Sequence, residues 1–167
     1  MMRRSYYRLA PAALCAALLM VSAAAAKAVD GAYIDIPQTF IGFSVGNASS
    51  TTTAQPNPFT VSFSGASLTA PNNCLQFYIY AASDTMTPPA GQGIPTNLIS
   101  WNGSATSGLV SPHSLSSAQT LFWTSKPGDT AGTASLTFQL ASLMGVANIR
   151  AGSQTVFCTV KIVEAAE

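Results

Sequence analysis

Residues 133–140 read Thr133-Ala-Ser-Leu-Thr-Phe-Gln-Leu140, a hydroxylated or amide residue alternating with an apolar one throughout. Ala134, Leu136, Phe138 and Leu140 share one parity. Thr133, Ser135, Thr137 and Gln139 share the other. Side chains of an extended strand point alternately to opposite faces, so this stretch is a strand with one face on a core and one in water. An apolar residue at every second position would be spread around a helix rather than gathered on one face.

The same period of two recurs on both sides of this segment. Val156, Cys158, Val160 and Ile162 alternate with Phe157, Thr159 and Lys161. Phe59, Val61 and Phe63 alternate with Thr60, Ser62 and Ser64. Leu75, Phe77 and Ile79 alternate with Gln76, Tyr78 and Tyr80. Phe40 to Val45 forms a short strand with Phe43 and Val45 on one face, and Leu121 and Trp123 flank Phe122. Turn clusters rich in Pro, Gly and Asn separate these runs: 54–58, 70–73, 88–93, 126–129 and 150–153. Pro fixes φ and Gly frees it, so both punctuate strands. About seven short strands with such spacers predict an all-β fold, a single antiparallel immunoglobulin-like β-sandwich over residues 38–167. The stretch from Ser83 to Ala118 is the least regular, with one strand expected over 97–101. A loop-rich insert of that kind is where a binding surface is expected.

The N-terminus reads differently. Arg3, Arg4 and Arg8 precede the apolar run Leu9 to Val21, and small residues follow. A basic start, a short apolar middle and an A-x-A end predict a secretory signal peptide over 1–26, cut after Ala26, with Ala28 as the alternative. The 13-residue run is too short to span a bilayer comfortably as a helix, which argues against a retained anchor. Cys15 lies inside the run behind Leu14, where a lipoprotein signal wants a small residue, and is expected to leave with the leader. The expected location is the periplasm, the cell surface or the extracellular space.

Removing 26 of 167 residues leaves 141, enough for one domain with a real core. It also removes three arginines. Lys27, Lys126, Arg150 and Lys161 then face Asp30, Asp35, Asp84, Asp129, Glu164 and Glu167, a net charge of −2 instead of +1. Such a chain has no electrostatic footprint for nucleic acid. Solubility must come from Ser, Thr, Asn and Gln, and low charge weakens the repulsion that keeps copies apart.

Cys74 and Cys158 remain after the cut. An even pair in an exported chain predicts a disulfide, and closing its 84-residue loop would contribute roughly 4 kcal/mol. Alternation turns Cys158 inward but assigns Cys74 to the face of Gln76, Tyr78 and Tyr80. Its place at the start of the strand, after Asn72-Asn73, is where alternation can break.

Catalytic equipment is sparse. His113 stands in the loop 110–114 with no nucleophile elbow nearby, and reads as an ordinary polar loop residue. Asp84 and Asp129 each sit in a turn cluster, where Asp bonds the local backbone. No spacing suggests a metal site, and Gly91-Gln-Gly93 has no helix after it to cradle a phosphate. No cofactor, metal or catalytic residue is expected, and the chain reads as a non-enzyme. Tyr78, Tyr80 and Trp101 are the candidates for stacking on sugar rings, whereas Trp123 in its apolar strand reads as core. Asn47 and Asn102 head N-x-S/T sequons.

The segment 27–37 is an extended arm or a first strand. Asp30, Ala32, Ile34 and Ile36 share one parity. A free arm can add a strand to a neighbour's open sheet edge. Local pairing of sequential strands favours the alternative, a first strand of its own sandwich.

Taken together, the signal peptide, the strand 39–45, the segment Ile94-Pro-Thr-Asn-Leu98 leading into Trp101, and the end Arg150-Ala-Gly-Ser-Gln-Thr-Val-Phe-Cys-Thr-Val-Lys-Ile162 resemble bacterial secreted subunits of the fimbrial and spore-coat-U type. Gln154 stands where such subunits carry an aromatic, and the cysteine spacing departs from their early pair. The resemblance implies an immunoglobulin-like sandwich that assembles on the cell surface, with a periplasmic chaperone as an implied partner. The expected function is a structural or adhesive surface protein, a fibre subunit included, whose partners are copies of itself or other surface proteins. A carbohydrate-binding module is the alternative.

Overall fold

Alternating hydroxylated and apolar residues leave each strand one face to bury, and two sheets bury those faces against each other. The computed structural model describes residues 15–22 as backbone, and residues 31–88, 91–149 and 152–166 in full. The expected cut at Ala26 and Asp30 of the arm lie outside the described residues.

Twelve strands are present among the described residues. They are β1 (Cys15–Ser22), β2 (Tyr33–Asp35), β3 (Phe40–Val45), β4 (Thr52–Thr53), β5 (Phe59–Ser64), β6 (Cys74–Ala81), β7 (Ile99–Ala105), β8 (Leu109–Val110), β9 (His113–Ser114), β10 (Thr120–Thr124), β11 (Gly132–Leu140) and β12 (Gly152–Ala165). One 3-10 turn, Thr96–Leu98, precedes β7. The first sheet has the order β3-β1-β12-β6-β10-β8 and the second β2-β5-β11-β7-β9, with β4 beside β11. The chain is thus an all-β sandwich. Its pairs are antiparallel apart from β1 with β12, which run parallel.

The core lies between the sheets. Val61 and Phe63 of β5 and Ala134 and Leu136 of β11 come from one side. Phe77 and Ile79 of β6 and Val160 and Ile162 of β12 come from the other. Phe63 crosses the interface to both Phe77 and Trp123, with ring centroids 5.4 and 5.3 Å away. The register slips between Leu121 and Trp123. That irregularity lets the neighbours Phe122 and Trp123 both be buried, which simple alternation forbids.

The expected Cys74–Cys158 disulfide is not there, and the register excludes it. Cys158 pairs with Ala81, whereas Cys74 pairs with Ala165 at the far end of the same two strands. Seven residues of strand separate the two positions, about 23 Å at 3.3 Å per residue. A bridge needs Cα atoms about 4.4–6.8 Å apart. Both residues are buried, Cys74 included despite its parity. Burial pushes the Cys158 thiol up to about 12.

The last turns of β12 are tied to the loop before β6. Glu164 Oε1 accepts from the backbone N–H and hydroxyl of Thr69 and from Asn73 Nδ2, each at 2.6 Å. These donors hold the Glu164 carboxyl below the ordinary carboxylate range. A depressed folded pKa adds stability above the unfolded pKa and loses it as pH falls through the folded one. Glu164→Gln is therefore expected to lower the melting temperature at pH 7 and to narrow the gap to wild type at pH 2, measured by circular dichroism. The Asp84 carboxyl is likewise held below the ordinary range, by the backbone N–H and hydroxyl of Ser117.

Candidate functional site

The residues singled out for chemistry do not converge. His113 is exposed on β9, its ring centroid 6.4 Å from that of Trp101. Both oxygens of the Asp84 carboxylate are engaged by Ser117, at 2.7 and 2.9 Å. Among the described residues no three His, Cys, Asp or Glu side chains gather as a metal site would require.

The three candidate sugar-stacking aromatics share no surface. Trp101 is 2 % exposed in the second sheet, and its Nε1 donates to Ser111 O at 2.8 Å, so its reading as a sugar platform is corrected to a core residue. Tyr78 and Tyr80 are half-buried on the outer face of β6, in the first sheet. Tyr78 donates to Gln76 Oε1 at 2.7 Å and stands opposite Lys161. The sequon residues Asn47 and Asn102 are both exposed.

The described part of the arm, residues 31–37, lies along the second sheet. Tyr33–Asp35 pairs with Ser64–Ser62 as β2, and Ala32, Ile34 and Ile36 pack half-buried against the core. Residues 33–35 are thus a strand of the chain's own second sheet.

The unusual arrangement lies at the other end of the order, where β1 stands between β3 and β12. It pairs with β12 over Cys15–Ser22 against Gly152–Thr159, and with β3 over Cys15–Met20 against Val45–Phe40. Without residues 15–22, β3 and β12 would stand two strand spacings apart, about 9.6 Å. Each strand is secured from its other side. Gly42 of β3 exchanges backbone hydrogen bonds with Gln55, at 2.7 and 2.8 Å. The far edge of β12 is covered by β6 and by loop residues 82–87: Ala82 N–H donates to Phe157 O at 2.7 Å, and Thr87 N–H to Thr155 O at 2.8 Å.

The floor of this position is apolar. Ile41, Phe43 and Val45 of β3 and Val156 and Cys158 of β12 turn into the core beside it. Gln154 is the polar exception, fully buried, accepting from Ile94 N–H at 2.7 Å and donating to Gln92 O at 3.4 Å. It thereby ties the loop 92–94 to β12. At the outer face Phe40 and Phe157 stand on either side of the Met20 register position, 54 % and 58 % exposed. Sequence reasoning treated residues 15–22 only as leader and so missed this position. The one available signal was that the apolar run is long enough to hold a strand.

Comparison of the chain with protein-family models and with curated proteins returns no match.

Proposed function

We propose that the chain is a non-enzymatic structural subunit of the cell surface or extracellular space that completes its first sheet with a strand from another copy of itself. The observation that carries this reading is the strand order β3-β1-β12, in which the middle strand lies ahead of the expected cut at Ala26. Losing residues 1–26 would leave two backbone edges, 40–45 and 152–159, over an apolar floor. Unpaired backbone groups beside buried apolar residues are a template for another chain's strand. The weakly charged, hydroxyl-rich surface of the expected mature chain suits close packing of copies. The resemblance to secreted fimbrial and spore-coat-U subunits points to the same class.

The test is the exported protein itself. Its N-terminus is expected at Lys27 or Val29, and size-exclusion chromatography with negative-stain microscopy is expected to show oligomers or fibres that grow with concentration. A strictly monomeric species at millimolar concentration, with amides of 40–45 and 152–159 protected from exchange, would sink the reading.

A further inference from the structure

The strand between β3 and β12 comes from the same chain, and its register suits the position. Cross-strand partners in a sheet share a face. Ala17 stands opposite Phe43 and Gln154, Leu19 opposite Ile41 and Val156, and Val21 opposite Cys158, all buried partners. Leu18 and Met20 fall opposite the outer-face positions Gly42, Phe40, Thr155 and Phe157. Ser22 is the only polar residue of the eight. A segment apolar but for its last residue is thus placed over an all but apolar floor.

We infer that the uncut chain completes itself: residues 15–22 close the position between β3 and β12 against any other strand, and the cut near Ala26 opens it. This inference rests on the strand-addition reading above and adds what regulates that site. The tether sets its strength. Ten residues, 23–32, join β1 to β2. A segment tethered to its site by a short stretch of the same chain acts at an effective concentration on the order of millimolar. A strand offered by another copy at micromolar concentration is then outcompeted by roughly a thousandfold. Cutting the tether removes that advantage, and the segment must compete as a separate strand. The leader would thus serve twice, as an address and as a plug.

The experiment uses the full chain with a site-specific protease sequence placed at residues 23–28, outside β1. Uncut, it is expected to stay monomeric, with slow amide exchange at 40–45 and 152–159. After cutting and gel filtration to remove the released segment, exchange at those positions should rise at least tenfold and oligomers should form. A second variant, uncut Leu19→Asp, places a charge opposite Ile41 and Val156 and should assemble without cutting. Equal assembly of uncut and cut chains overturns the inference while leaving strand addition intact, as does an uncut Leu19→Asp chain that stays closed and monomeric. Failure of every form to assemble while far-ultraviolet circular dichroism shows intact β structure overturns strand addition and the inference together.

Discussion

Trp123→Ala is expected to cost the fold about 4 kcal/mol, the range of large aromatic truncations in cores. Trp123 is fully buried and stacks on Phe77 at 4.2 Å with an interplanar angle of 19°. It also packs against Phe63, so one side chain bridges the two sheets. Its Nε1 donates to Ser107 O at 2.7 Å, and truncation would orphan that buried carbonyl. The neighbourhood cannot close over the hole, because it is made of strand backbone and other rings. Trp123→Phe keeps a ring but not the donor, and is expected to recover about half of the loss. Urea unfolding followed by fluorescence measures both. A loss below 1 kcal/mol for the alanine variant would show that the ring cluster does not hold the sheets together.

Gly108→Ala is expected to cost about 3 kcal/mol, a fall in melting temperature on the order of 10 °C for a domain of this size. Gly108 has φ +76°, a conformation that L side chains rarely adopt. An added Cβ would meet Thr124 O and the Cα and carbonyl carbon of Ser125, all backbone that cannot rotate aside. The edge pairing of Leu109 and Val110 with Thr124 and Trp123 would have to part. Differential scanning calorimetry reads the effect, and an unchanged melting temperature would refute it. Gly108 adjoins Ser107, whose carbonyl takes the Trp123 indole and whose hydroxyl takes Lys126 N–H at 3.0 Å. The two largest expected losses therefore meet at one turn.

Strand identity was legible wherever burial acts on one face alone. In β5, β6, β11 and β12 the inward parity read from Phe59, Leu75, Ala134 and Val156 is the buried parity in the structure. The region 83–118 resisted reading because its strands are short or preceded by turns. β8 and β9 have two residues each, and β7 begins at Ile99, after a 3-10 turn, rather than at Asn97. Periodicity cannot register in two residues. Trp101 misled for a different reason: its hydrogen-bond partner, Ser111 O, lies ten residues away, and only the fold brings it near. The disulfide expectation failed on register. Composition shows that two cysteines follow the expected cut, but not that they fall at opposite ends of one strand pair. The position held by β1 was hidden because a leader's composition masks a strand's, every residue but one being apolar.

The placement of those cysteines has a consequence for how the chain must mature. β6 and β12 are zipped over eight residue pairs, from Cys158–Ala81 to Ala165–Cys74. A covalent link between Cys74 and Cys158 and this ladder cannot coexist. The link can form only while the chain is still open, and once formed it bars the two central strands from their register. Wherever an oxidant is present, folding is thus a race against thiol chemistry. Burial of Cys158 ends the race by withholding the thiolate that would react. An oxidised Cys74–Cys158 pair is therefore expected to mark a chain that has not reached this register.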